Sequence, residues 1–198
     1  MATHKNRGIF CLEGPWSPKL TDRASMRPLL DVVEGVYGPG VAFRDAATPE
    51  EVRQYLKQWS GKQYASHPFG IMSFHGELGK IRLLGRKSMT LDELGDLLEG
   101  KCQGRLLHFD SCSVMGVAPK EMKAFRFKTK AAAVSGFTEN VDWLDSAAFT
   151  LMLFNSLIHG KRISEALRDM YDLHHGAARS LGFRAVWARG QVGISGRH

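Results

Sequence analysis

Leu106-Leu107-His108-Phe109-Asp110-Ser111-Cys112-Ser113 is the stretch whose reading decides the fold. It opens on a near-continuous apolar run, the pattern of a strand covered on both faces in a parallel sheet, and ends in a polar tip. Upstream, residues 69–74 read as a strand that stops at His75-Gly76, and residues 8–12 as a strand that stops at Glu13. Shorter strands fit residues 41–43 and 131–135. Between them lie helical patterns at residues 26–36, 119–125, 143–158 and 163–181. Two further helices announce their starts. Thr48-Pro49-Glu50-Glu51 and Thr90-Leu91-Asp92-Glu93 are capping boxes, followed by Val52, Leu56 and Trp59 in one helix and Leu94, Leu97 and Leu98 in the other. In helix 143–158 the residues taken as in phase are Leu144, Ala147, Ala148, Leu151 and Ile158. Residues 81–84, after a glycine-containing turn, read as a small hairpin arm, and the glycine-rich, basic residues 190–198 as a flexible tail. Strands alternating with helices predict an α/β domain built on a mostly parallel sheet, a single unit over residues 1–189.

Composition narrows the class. The chain has 198 residues, 43% apolar and 24% charged, enough to bury a core without a metal or disulfide. Its three cysteines leave at least one unpaired, which points to a reducing, cytoplasmic setting. The longest apolar run, residues 147–154, is far short of the ~20 residues of a membrane helix, and residues 9–12 are too few for a signal-peptide core. Neither a membrane protein nor a secreted one is expected. The net charge of +7 comes from 27 basic and 20 acidic residues, a balance that favours anionic partners. The cations are scattered, however. The densest group, Lys120, Lys123, Arg126, Lys128 and Lys130 with Phe125 and Phe127 between them, reads as a solvated helix and strand edge, so nucleic acid is not an expected partner.

In an open parallel sheet, chemistry gathers beyond the C-terminal ends of the strands. Glu13, His75-Gly76 and Asp110-Ser111-Cys112-Ser113 all occupy such ends. A Cys and a His distant in sequence and meeting at neighbouring strand ends form the layout of a thiol nucleophile with its acid/base. Cys11, inside a strand, reads as core, and Cys102, in a loop beside Gly100 and Gly104, has no evident partner. His108 reads as a hydrogen-bonded core histidine. His174 and His175 are adjacent on a helix and cannot face one ligand, and His174 reads as packed, in phase with Met170 and Ala177. Gly38-Pro39-Gly40 is a turn. No metal-binding or phosphate-cradling motif is present, so no metal and no cofactor is expected.

Ile71-Met72-Ser73-Phe74-His75-Gly76 resembles the strand-then-His-Gly block of caspase-like cysteine peptidases, and residues 106–112 resemble their second block, a strand leading to the catalytic Cys. Gly79-Lys80-Ile81-Arg82-Leu83 and Thr90-Leu91-Asp92-Glu93-Leu94 are similar to the hairpin and helix between the blocks in the bacterial CHAT branch. Val134-Ser135-Gly136-Phe137, Asp142, and Phe154, Leu157, Gly160 and Glu165-Ala166-Leu167 resemble its closing strand and helices. The resemblance covers roughly residues 8–181. It implies a three-layer α/β/α sandwich and a cysteine endopeptidase, with Cys112 and His75 as catalytic dyad and the backbone amides of Gly76 and Cys112 as oxyanion donors. Asp110 stands two residues before the cysteine, where relatives of the metacaspase type place a carboxylate in the pocket for the residue preceding the cut. Glu13 is the candidate second carboxylate there, and cleavage after Arg or Lys is the consequence. Alternatively Asp110 pairs with a local cation such as Arg82 or Arg105. The cysteine is followed by Ser113-Val114-Met115-Gly116 and not by the Glu-x-Gly or His-Ser-Gly of many relatives. The loops at residues 85–90, 113–118 and 136–142 are small or polar, so an activating protein partner is expected besides the protein or peptide substrate. The resemblance also suggests a role in bacterial defence or regulation. The competing readings are a catalytically silent scaffold of the same fold and a flavodoxin-like nucleotide domain. The second would need a phosphate loop where Glu13-Gly14-Pro15-Trp16-Ser17-Pro18 stands.

Overall fold

The computed structural model describes residues 7–19, 21–38 and 40–193. In chain order, β1 (Ile9–Glu13), α1 (Arg27–Tyr37), β2 (Val41–Asp45), α2 (Pro49–Trp59) and β3 (Phe69–Ser73) come first. A small arm follows, β4 (Gly76–Glu77), β5 (Lys80–Arg82) and β6 (Ser88–Thr90), leading into α3 (Leu91–Leu97). Then come β7 (Leu106–Asp110), α4 (Pro119–Thr129), β8 (Ala133–Phe137), α5 (Trp143–Ile158), α6 (Ile163–Leu173), α7 (His175–Ser180), β9 (Phe183–Trp187) and β10 (Gly190–Val192).

Among the described residues seven strands form the central sheet in the order β10-β9-β8-β7-β3-β1-β2, and β4, β5 and β6 form a separate three-stranded sheet. Strands β2, β1, β3, β7 and β8 run parallel, while β9 and β10 run antiparallel to their neighbours. Every residue of β1, β3, β7 and β8 is buried, which explains their unbroken apolar runs. Alternate side chains divide between two cores. Phe10, Leu12, Met72, Leu107 and Phe109 meet α2, α3 and α4 on one side. Ile9, Cys11, Phe69, Ile71 and Leu106 meet α1, α5 and α6 on the other. The architecture is the three-layer α/β/α sandwich. Both capping boxes form, Thr48 with Glu51 and Thr90 with Glu93.

Three expectations change, and a fourth falls partly outside the described residues. Residues Gly190–Val192 are not part of a loose tail but pair as β10 with β9, Gly190 opposite Trp187; residues 194–198 of that tail lie outside the described residues. The helix expected over 163–181 breaks at His174, whose φ of −112° and ψ of 36° are not helical, so Ala178 and not Ala177 is buried. Helix α5 buries Ser146, Ala147, Phe149, Thr150, Leu153, Phe154 and Leu157, while Leu144 is 60% exposed. Its inward face is therefore rotated from the expected one, because Ser146 and Thr150 face polar groups of the sheet. The expected turn at Gly38 and Gly40 includes Pro39, which lies outside the described residues.

Arg105 locks the entrance to β7. Its guanidinium, 4.9 Å from the Trp59 ring centroid, donates to the carbonyls of Tyr64 (3.0 Å), His67 (3.1 Å) and Gly61 (3.2 Å). Trp59 in turn stacks on Phe10 and donates to the His67 carbonyl at 2.8 Å. Replacing Arg105 with Ala strands three carbonyls and bares the indole, and should cost about 3 kcal/mol in a denaturant titration.

Candidate functional site

The parallel register fixes what can meet at the C-terminal edge. Glu13 pairs with Ser73, and Ser73 with Asp110, so these three side chains form one row across β1, β3 and β7. They point toward the α5 side, because Cys11, Ile71 and His108 occupy the row below. His75 and Cys112 each stand two residues beyond the Ser73–Asp110 pair, at matching positions on the tips of adjacent strands. The tips of β3 and β7 are thus adjacent, with the His75 imidazole turned to the loop after β1 and the Cys112 thiol to the loop after β8.

Each tip is held by its own contacts. Behind Cys112, Ser113 adopts a left-handed φ of 55°, which turns the chain sharply and leaves the thiol at the bend. The Ser113 amide donates to the Glu139 carbonyl (3.0 Å), its hydroxyl to Asn140 Oδ1 (3.0 Å), and the Cys112 thiol to the Val141 carbonyl (3.6 Å). The β3 tip is stitched to the β7 tip by Ser111, whose hydroxyl donates to the Met72 carbonyl and accepts from the Phe74 amide, both at 3.1 Å. Gly76 lies so close to the second tip that a Cβ there would sit 2.1 Å from the Cys112 carbonyl oxygen. Only glycine permits this approach. His75 is exposed, its Nε2 2.6 Å from the Trp16 carbonyl oxygen and its ring edge-on to the Trp16 indole. Nε2 must therefore carry the proton, and a neutral ring offers Nδ1 as its acceptor. Thiol and imidazole thus each hold a neighbouring loop. Beside His75 opens a cavity of about 350 Å³, lined by Trp16, Arg82, Leu84 and Arg86 among others.

The row beneath is sealed. Glu13, 2% exposed, accepts from Trp16 Nε1 (2.8 Å), the Ser25 hydroxyl and the Met26 amide (2.9 Å). Burial raises its pKa and these three donors partly offset the rise. Glu13 thereby ties the loop after β1 to the start of α1. Asp110, also 2% exposed, has its pKa pushed up to about 7 by burial; the Ser146, Thr150 and Ser73 hydroxyls oppose the rise and the charge of Glu13 adds to it. Even so, Asp110 Oδ1 and the Ser73 hydroxyl have no hydrogen-bond partner of good geometry. Among the described residues no cation forms an ion pair with Asp110. Arg82 pairs with Glu77 at 3.0 Å, and Arg105 is spent on carbonyls, so neither fills the alternative role.

The remaining candidates are settled by burial. His108 is fully buried, Nδ1 2.9 Å from the Ser135 hydroxyl and Nε2 2.9 Å from that of Thr150, and burial lowers its pKa to about 3, so it is a neutral core group. Cys11 and Cys102 are fully buried; burial raises the first pKa well above a free thiol and the second to about 12. Cys112 is the one cysteine with partial exposure. His174, at the helix break, is half-buried, and His175 is exposed. Among the described residues no cluster of His, Cys, Asp or Glu is arranged to hold a metal. No helix among them is long and apolar enough to cross a membrane. Reading by strand ends misses Ser73, Ser146, Thr150, Trp16 and Ser25. Ser146 and Thr150 carried a signal, two hydroxyls four apart within an otherwise apolar helix.

The fold has a counterpart of known structure, caspase-1 from Spodoptera frugiperda, which superimposes with a TM-score of 0.54 at 18% identity over 84% of this chain and 76% of that one. The central sheet and its helical layers are thus caspase-like. No curated protein matches the sequence. Residues 6–187 match the family of unknown function DUF6642, and the chain belongs to that family.

Proposed function

We propose that this protein is a caspase-like cysteine endopeptidase that cleaves after Arg or Lys, with Cys112 as nucleophile and His75 as acid/base. The observation that carries the reading is the stacking of two rows at one sheet edge. His75 and Cys112 stand on adjacent tips above a buried carboxyl, Asp110, that has an unpartnered oxygen. The chemistry follows from residue types. The Cys112 thiol passes its proton to His75, and the thiolate attacks the scissile carbonyl carbon. The amides of Gly76 and Cys112 hold the oxyanion. As the C–N bond breaks, His75 returns the proton to the departing amine, and water then hydrolyses the thioester. A guanidinium or ammonium entering between β1 and β7 supplies what Asp110 lacks, and Glu13 adds a second negative charge if its donors loosen.

The described arrangement suits a latent state. His75 is held by Trp16, Cys112 by Val141, and the carboxyl row is closed, so an activating partner that draws the loop after β1 away would open the pocket and free the imidazole together. A CHAT-type role in bacterial defence or regulation fits a peptidase held inactive in this way.

Cleavage of an arginine-containing peptide library by protein activated with a co-encoded partner is the direct test. Cys112→Ala or His75→Ala should abolish turnover with the fold retained, whereas Cys11→Ala and Cys102→Ala should leave it within a few-fold. A profile favouring acidic or large apolar residues before the cut would sink the specificity. Asp110→Ala should cost about 2 to 5 kcal/mol of discrimination for basic substrates. The cation needs ionised Asp110, so kcat/KM on such substrates should rise with pH through about 7, a limb that Asp110→Asn should lack.

Stability should move the other way. Native Asp110 keeps its proton up to a pH of about 7 whereas the unfolded chain releases it near 3.8, so over that window the native state binds more protons and stability falls as pH rises. The slope is roughly 1.4 kcal/mol per pH unit at most. Denaturation midpoints of the wild type and Asp110→Asn, compared from pH 4 to 8, should diverge across that window in favour of the variant.

A further inference from the structure

Cations scattered in the sequence converge at the edge of the sheet formed by β9 and β10. On the α4 side, Lys120, Lys123 and Arg126 line a depression of about 740 Å³ together with Phe127 and Trp187. On the α6 side, Arg7, Arg162, Arg168 and Arg189 line one of about 720 Å³. Both depressions are bounded by Trp187 and Ala188, so they adjoin at the β9–β10 hairpin, and the two together are treated as one groove. Seven cations line it against a single carboxylate, Glu165, which pairs with Arg162. Among the described residues no ion pair is formed by the other six.

We propose that this groove binds single-stranded nucleic acid. Seven cations spread over two faces match a repeating anion and exceed what one mononucleotide carries. Four of the seven are guanidinium forks on the α6 side, the geometry that takes phosphate oxygens in pairs. The aromatics separate a nucleic acid from an acidic protein. Phe127 is 66% exposed among lysines, with Lys130 Nζ 4.1 Å above its ring. Trp187 is half-buried and seated on Gly190, where a Cβ would lie 2.5 Å from the indole, so its ring is held in a fixed orientation. An acidic peptide would answer the charge and leave these flat faces idle; unpaired bases use both. The α6 half also touches Gly104 and Ala132, just before β7 and β8, which puts it at the end of the sheet opposite His75 and Cys112. Occupation of the groove leaves the candidate active site uncovered, and the proposal stands independently of any peptidase activity.

Fluorescence anisotropy of the full chain with labelled 20-nucleotide oligo-dT and oligo-U, from 50 to 300 mM salt, tests it. The expected result is saturable binding that weakens with salt by about 0.7 log units per log unit for each phosphate neutralised. The double variant Arg168→Glu/Arg189→Glu, both residues exposed, should weaken binding at least tenfold on both oligonucleotides and flatten the salt dependence. Phe127→Ala should weaken it about fivefold or more at fixed salt with the slope unchanged, the mark of stacking. Lys57→Glu/Lys62→Glu makes the same change of net charge on exposed residues away from the groove and should leave binding within about twofold. Absence of saturable binding at 100 mM salt would overturn the proposal. So would equal weakening by the Lys57/Lys62 pair, or displacement of the oligonucleotide by polyglutamate as effective as by unlabelled oligo-U at equal charge.

Discussion

The in-register pairing of β3 with β7 is the constraint on which the rest of the candidate site depends. Phe69 meets Leu106 and Ser73 meets Asp110, so the two residues that follow on each strand arrive at the same height. A slip of one residue would turn every side chain of one strand to the opposite face, burying Ser111 where Asp110 belongs and separating His75 from Cys112. Three features oppose such a slip. Gly70 admits the Trp59 ring at a distance no side chain would tolerate, Ser111 bridges two backbone groups of β3, and Gly76 fits against the Cys112 carbonyl. Each is specific to one register, so the sheet's geometry and the site's geometry are the same fact.

Polar groups run through the core on the α5 side at a cost that apolar packing alone would avoid. Ser135, His108, Thr150, Asp110, Ser73 and Glu13 connect the middle of β8 to the tip of β1. His108 is balanced, with a hydroxyl on each nitrogen and no charge. Glu13 is balanced by three donors. Asp110 is not, and it stands at the end of β7, two residues before Cys112. A buried polar group left short of partners lowers stability by about 1–3 kcal/mol, so its place directly below the strand tips is the kind of local deficit that a ligand can make good.

Much of this order is legible in the sequence because its causes are local. Capping boxes place α2 and α3 to the residue, and buried parallel strands are written as apolar runs closed by polar tips, which is how Glu13, His75 and Cys112 come into view together. Nonlocal causes leave no such trace. Residues 183–187 alternate as a strand should, yet what makes them one is the antiparallel partner β8, some fifty residues earlier, and what makes 190–192 a strand is the indole of Trp187 resting on Gly190. The phase of α5 misleads for a related reason. A reading that counts apolar residues turns Leu144 inward, whereas the sheet below offers His108 and Asp110, which attract Ser146 and Thr150. The seven cations of the hairpin groove come from four separate stretches of chain and look dispersed until the edge strands fold back between α4 and α6.

The burial that raises Asp110 also decides how the proposed pocket would select its substrate. A carboxyl with a pKa near 7 is half protonated at neutral pH, and a neutral side chain entering the pocket would bring no counter-charge to its ionised form. A guanidinium meets a group whose ionisation has been withheld only by the lack of a counter-charge; its arrival drives the proton off and converts the deficit into two charge-assisted hydrogen bonds. An acidic side chain would force a third carboxyl against Asp110 and Glu13, and repulsion would reject it. Discrimination in the proposed pocket would thus come from the core beneath it and not from its walls. The same reasoning explains why the described state can be closed without being unstable. With no cation bound, Asp110 stays largely protonated below a pH of about 7, the loop after β1 is anchored through Glu13, and Trp16 packs against His75. In the proposed mechanism, cation entry and loop release would be linked through the row that Glu13, Ser73 and Asp110 share.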